Sequence, residues 1–147
     1  MIRKFTKNDT AAVMQVWLET IVVAHDFVNE KYWRDAIENV RKNYILNSES
    51  YVYIKDGGIV GFVSIIEENT IGAIFVEKPF QDKGIGGQLL ERIQSEYDKL
   101  YISVFEKNQG AKKFLLNRGF KFLYKQHDVN TDEVELLFIW EKREHEL

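Results

Sequence analysis

The chain contains no cysteine. That absence excludes a disulfide framework, a thiolate zinc site, an iron–sulfur cluster and a cysteine nucleophile. Histidine occurs only three times, scattered, with no spacing suited to a metal. No apolar run approaches the roughly 18 residues that suggest a membrane span. The first ten residues, MIRKFTKNDT, lack the apolar core of a secretory signal, so a cytoplasmic protein is expected. An excess of basic charge is also missing. Twenty Lys and Arg against 23 Asp and Glu leave a net charge of -3, which argues against a dedicated nucleic-acid binder. Neither an internal repeat nor a low-complexity linker interrupts the chain.

What remains is a globular composition, 45% hydrophobic and 29% charged over 147 residues. One domain, 1–147, is expected at this length. A chain of this size buries roughly 68–70% of the surface its unfolded form exposes, so it needs no staple. The segment 2–5 reads as a short edge strand. Thr6 and Asp9 form a helix-start signature, and Val13, Val16, Trp17, Thr20 and Ala24 carry that helix to about His25. Trp33, Ile37, Val40 and Tyr44 mark a second helical stretch, with Asn29 placed to cap it. The period then changes to that of strands at 51–55, 59–66 and 70–76, with Asp56, Gly57 and Gly58 as a hairpin turn. Ile85, Leu89, Ile93 and Tyr97 mark a further helix. A strand at 100–105, a helix from Asn108 to Arg118 stopped by Gly119, and strands at 120–126 and 134–140 complete the chain. The last seven residues, 141–147, read as a solvated tail. The order β-αα-βββ-α-β-α-ββ specifies a mixed α/β sheet with helices on its faces. Trp17, Trp33, Tyr44, Phe62 and Trp140 fall on apolar stripes and read as core.

The most informative stretch runs from Gln81 through Asp82, Lys83, Gly84, Ile85 and Gly86 to Gly87. It leaves a strand and opens a helix. Unpaired N–H groups in a first helical turn, together with the helix dipole, favour an anion there. Glycines let a phosphate approach them. A dinucleotide fingerprint requires a third glycine where this chain has Leu89, and a βαβ unit where it has a meander. A P-loop requires Lys after the glycines, whereas Lys83 precedes them.

The pattern Q/R-x-x-G-x-G/A, met by Gln81, Gly84 and Gly86, resembles the acyl-CoA signature of the GNAT N-acetyltransferases. The surrounding AIFVEKPFQDKGIGGQLL resembles that family's fourth strand, turn and third helix. Asn108 and the run from Ala111 to Phe120 resemble its next segment, and His25-Asp26-Phe27 with the following helix resemble the bacterial YjaB-type subgroup. The resemblance covers nearly the whole chain. It implies a GNAT-like, mostly antiparallel central sheet, with helices on both faces, and an acetyl-CoA-dependent transfer of acetyl to a primary amine of a small molecule or protein. Membrane and nucleic-acid partners are not expected. The family includes both monomers and homodimers.

The resemblance also implies roles. The backbone of Gly84, Ile85, Gly86, Gly87 and Gln88 would cradle the pyrophosphate, with Gln81, Asp82 and Lys83 lining the turn. Asn108 and Lys113 join the cofactor side. Phe75 and Val76 would pair with the pantetheine arm, and a backbone N–H near 74–76 would stabilise the oxyanion. Glu67 and Glu68, just before that strand, are candidate bases for the amine. His25, whose ordinary pKa near 6.5 suits base work, is another. His25, Phe27 and Tyr32 are expected to line the acceptor pocket. The family's usual general-acid Tyr falls on Leu115, which donates no proton, leaving Tyr124 as a possible substitute. The same departure admits a different class of function, an acyl-CoA-binding sensor with weak or lost catalysis.

Overall fold

The computed structural model describes residues 1–143. The end of the expected tail, 144–147 with His145, lies outside the described residues. The residues group into two compact units, Met1–Ile93 and Gln94 onward.

The first unit begins with strand β1 (Ile2–Lys4), a 3₁₀ turn over Lys7–Asp9, and helix α1 (Thr10–Ala24). The expected helix-start signature is in place. The Thr6 N–H donates to Asp9 Oδ2 at 2.8 Å, and Arg3 binds both oxygens of the same carboxylate at 2.8 and 3.0 Å. This charge-assisted hydrogen bond from Arg3 is the main cause that lowers the Asp9 pKa to about 2. Asn29 caps the next helix as expected, its side chain accepting from the Lys31 N–H at 2.8 Å.

That second helical stretch is not one helix. It divides into α2 (Glu30–Asp35), α3 (Ile37–Val40) and a π-helical turn, Arg41–Leu46. The wider turn shifts the phase of the stripe. Ile45 becomes fully buried while Tyr44 is left half-buried.

Strands β2 (Glu49–Lys55), β3 (Gly58–Ile66) and β4 (Thr70–Val76) follow as the expected antiparallel meander, with β1 on the outside of β2. Asp56 and Gly57 join β2 to β3 with φ of 53° and 80°, the paired left-handed conformation of a tight hairpin. The β3–β4 register slips between Ser64 and Ile65, leaving Gly72 as the extra residue of β4. A Cβ on Gly72 would stand 2.9 Å from Ile66 Cγ2, so only glycine fits this bulge without a shift. Helix α4 (Ile85–Gln94) then buries Ile85, Leu89, Leu90 and Ile93 along one stripe. It packs close to β3, where a Cβ on Gly61 would meet Leu89 at 3.1 Å and Ile85 at 3.3 Å. The helix ends earlier than the periodicity suggested, and Tyr97 lies beyond it.

In the second unit, β5 (Lys99–Phe105) and β6 (Lys121–Asp128) flank a central β7 (Glu133–Glu141), both pairings antiparallel. Helix α5 (Gln109–Asn117) starts on Asn108, whose Oδ1 accepts the Ala111 N–H at 3.1 Å. It stops at Gly119, with φ of 88°, where the Gly119 and Phe120 N–H groups donate back to Leu116 and Leu115. Leu115 and Phe120 are buried and anchor the helix. Trp140 is half-buried rather than core. Strand β6 lies outermost and is exposed along nearly all its length, including Phe122, Leu123 and Tyr124. Its register against β7 slips between Phe122 and Tyr124, so Leu123 is the bulged residue.

Candidate active site

The candidate anion turn is built by the end of β4 and the start of α4. A short 3₁₀ turn, Lys78–Phe80, carries the chain out of the strand. Gln81 then reaches back, its Nε2 donating to the Val76 carbonyl at 2.8 Å. Asp82 and Gly84 both adopt left-handed conformations, with φ of 62° and 83°. Asp82 tolerates this conformation and Gly84 adopts it without cost. Gln81, Asp82, Lys83 and Gly84 are exposed, and so is Gln88, whose N–H closes the first helical turn onto Gly84. The Ile85 side chain is buried and Gly87 is buried beside it, so these two anchor the helix and offer backbone only. Gly86 is half-buried.

These residues fit a pyrophosphate. A Cβ on Gly84 would find only Gln88 Nε2, at 4.0 Å, so the space over the turn is open. The first N–H groups of α4 have no partner within the helix. Lys78 and Lys83 supply exposed positive charge in the same segment. Phe75 is half-buried in β4 and packs on Phe62 with ring centroids 5.4 Å apart. Val76 is buried, and its carbonyl is taken by Gln81.

His25, Phe27 and Tyr32 come together at the end of α1. The His25 ring centroid lies 5.6 Å from that of Phe27 and 5.6 Å from that of Trp33, and Tyr32 meets Trp33 at 4.9 Å. Burial pushes the His25 pKa below its ordinary value, against a smaller opposing effect of the backbone at Ile21. The imidazole is therefore held neutral near pH 7.

Glu67 and Glu68 stand elsewhere. They lie exposed in the turn joining β3 to β4, with Glu67 at φ of 53°. That turn is at the opposite end of β4 from the glycines, about 20 Å away along the strand.

One feature of this unit has no sequence signature. An open cavity of about 330 Å³ lies between the second half of α1 and the segment after β4. Glu19, Thr20, Val23 and Ala24 line one side, and Glu77, Lys78, Pro79 and Gln81 the other. Val23 is 60% exposed, an apolar side chain left facing this space. Gln81 therefore belongs both to the cavity and to the anion turn. Glu19 and Val23 carry no signal in the sequence because they occupy the side of α1 away from its apolar stripe, where solvated residues are the ordinary expectation.

In the second unit, Lys113 is exposed on α5, and Asn108 uses its Oδ1 as the cap of that helix. Leu115 is 1% exposed, a packing position. Tyr124 is 52% exposed on β6. Among the described residues no cluster of three or more His, Asp or Glu is arranged to hold a metal, and no helix is long and apolar enough to cross a membrane.

A family model described as an acetyltransferase (GNAT) domain matches residues 13–135. The peptidyl-lysine N-acetyltransferase YiaC of Escherichia coli (strain K12) is 37% identical over 120 residues, 82% of each chain. The peptidyl-lysine N-acetyltransferase YjaB of the same organism is 24% identical over 121 residues, 82% of this chain and 81% of that one. Among solved structures, apo YjaB from Escherichia coli superposes with a TM-score of 0.82 at 21% identity, covering 97% of this chain and 98% of that one. The PaiA N-acetyltransferase of Thermoplasma acidophilum, in complex with coenzyme A, gives 0.79 at 19% identity over 96% and 98% of the two chains. The expected fold class is therefore the one observed.

Proposed function

Because the chain belongs to the GNAT acetyltransferase family, we propose that it transfers acetyl from acetyl-CoA to the side-chain amine of a lysine in a peptide or protein. The family match runs through both compact units, which supports treating 1–147 as one functional domain. The lysine acceptor is supported by the likeness to YiaC, itself named for peptidyl-lysine acetylation.

The observation that carries the reading is the Gly84 turn. Its left-handed glycine, open space and unpaired helix N–H groups suit a pyrophosphate, and Gln81 holds it to β4. Acetyl-CoA, when bound, supplies an acyl group activated as a thioester. The chain's own residues do the rest. Gly84, Ile85, Gly86 and Gly87 offer backbone donors, while Asp82 shapes the turn and Lys78 and Lys83 balance charge. Val23 and Pro79 provide an apolar wall for a lysine stem in the cavity, and Glu19 and Glu77 place carboxylates near its cationic head. The aromatic cluster of His25, Phe27 and Tyr32 terminates α1 directly after this wall and shapes the acceptor side.

The test pairs binding with chemistry. Acetyl-CoA at a hundredfold excess over its Kd should stabilise the fold by about 2.7 kcal/mol, and a lysine peptide should then release free CoA thiol. Gly86→Asp should abolish the stabilisation while the unliganded protein still unfolds cooperatively. Stabilisation without thiol release across a broad amine panel would overturn the enzymatic reading in favour of an acyl-CoA-binding module.

A further inference from the structure

The cavity of the first unit carries more negative charge than one acceptor lysine neutralises. Its α1 wall supplies Glu19, the segment after β4 supplies Glu77, and Lys78 is the one cation lining it. In the acetyltransferase reading Lys78 serves the pyrophosphate, which leaves two carboxylates facing a single ammonium. Neither carboxylate has a cation of its own among the described residues. Glu77 forms no side-chain hydrogen bond or ion pair there. Glu19 meets only Gln15, whose Nε2 donates to Oε1 at 3.2 Å, so its other oxygen stays available. The two also differ in setting. Glu77 is half-buried, and its backbone is fixed to the sheet: its N–H donates to the Val60 carbonyl at 2.7 Å and its carbonyl accepts the Phe80 N–H at 2.8 Å. Glu19 is exposed, one helical turn before Val23.

The space matches the charge. A cavity of about 330 Å³ falls within the roughly 300–1,000 Å³ that holds whole small molecules, more than one lysine side chain fills. Glu77 stands on the wall that leads through Gln81 to the glycine turn, the side from which the acetyl group is supplied. Glu19 stands on the opposite, exposed wall. A peptide laid across this open cavity strips water from Glu19, which costs free energy unless the peptide brings a cation to it. An acidic neighbour on the peptide would add like-charge repulsion instead. Val23, 60% exposed beside Glu19, offers apolar surface along which the stem of a second long basic side chain can lie.

We propose that Glu19 selects acceptor lysines that have a second basic residue, Arg or Lys, immediately before or after them. The proposal rests on the acetyltransferase reading above and deepens it. The lysine head sits between Glu77 and Glu19, and the neighbouring cation satisfies the charge that this head leaves over on Glu19. The substrate class is therefore a dibasic segment of a peptide or protein. Glu19 sets specificity and takes no part in the chemical step, so its effect falls on KM and peptide affinity while kcat stays nearly constant.

The test uses peptides of one length, each with a single lysine whose neighbour on either side is Arg, Gln or Glu. In wild type the better Arg-flanked peptide should exceed its Gln counterpart about three- to fivefold in kcat/KM, the range of a partly exposed ion pair. The advantage should come through KM and shrink in high salt. Glu19→Gln should remove it, and Glu19→Lys should make the Glu-flanked peptide the best of the three. Glu38→Gln, at an exposed residue of α3 paired to Arg41, should keep the wild-type order. A wild-type preference below about threefold, a preference that survives Glu19→Gln, or an equal loss in Glu38→Gln overturns the proposal. A second readout needs no turnover. Fluorescence anisotropy of labelled peptides, with coenzyme A present and no acetyl to transfer, should give the same order of affinities, and equal affinities count against the proposal just as firmly. If wild type releases no thiol with any peptide, the acetyltransferase reading has failed, and the affinities still decide the docking preference.

Discussion

Gln81 Nε2 donates to the carbonyl oxygen of Val76 at 2.8 Å, closing the segment that leaves β4 back onto its own strand. The bond makes the position of the glycine turn a property of the sheet rather than of a free loop. A donor placed this way orders the N–H groups of α4 before any anion arrives, which lowers the ordering cost of binding.

Gln81→Ala should therefore weaken acetyl-CoA binding about fivefold, the equivalent of one ordinary hydrogen bond at about 1 kcal/mol. Gln81→Glu should weaken it further, because a carboxylate cannot donate to the carbonyl and adds negative charge beside the anion turn. Calorimetric titration measures both. Equal affinity in all three proteins would show that the tether does not organise the site.

His25 should make the fold acid-sensitive. Its folded pKa is lowered by burial, so the unfolded chain takes up the proton first as the pH falls. The stability gained from the neutral imidazole is complete above the ordinary value of 6.5 and is lost as the pH drops through the lower folded value. Urea unfolding at a series of pH values should show wild type losing stability below about pH 6.5, with a shallower loss in His25→Gln. Parallel pH dependences would mean that the ring is as well solvated folded as unfolded.

Asp9 should act in a more acidic window. Its pKa is lowered from 3.8 to about 2, chiefly by Arg3, so its contribution is present above 3.8 and disappears as the pH falls toward 2. Arg3 is 40% exposed and screened accordingly, so we expect Asp9→Asn to cost about 1–2 kcal/mol at neutral pH. The cost should fade as the pH drops to and below the folded pKa, where wild type increasingly carries a neutral side chain too. Chemical denaturation of both proteins at neutral and acid pH measures this difference directly.

The parts of the fold legible in the sequence are those with local causes. Asp56-Gly57 announced its hairpin because the turn needs two left-handed residues. Thr6, Asn29 and Asn108 announced helix starts because each could satisfy an orphan N–H or take part in a cap. The Gly84 turn was legible for the same reason. The π-helical turn after Val40 was not, because its residues Arg41, Lys42 and Asn43 are ordinary helix residues and the widening is settled by where Ile45 packs. The bulge that turns Tyr124 carries no glycine, so its sequence resembles an uninterrupted strand. Glu67 and Glu68 drew notice through their place in the chain, yet the structure sets them a strand's length from the glycines.

The slip at Leu123 also bears on how the protein behaves in crowded solution. An outermost strand eight residues long, carrying Phe122, Leu123 and Tyr124 in the open, is the kind of edge onto which another chain could add. One extra residue, the third of the strand, twists that edge and puts its outward N–H and C=O groups out of step near its start. Lys121 and Lys125 place charge on either side of the apolar run. A flat template for aggregation is thereby cut into a two-residue piece, Lys121–Phe122, and a longer one, Tyr124–Asp128, which disfavours edge-to-edge addition while the aromatics stay exposed.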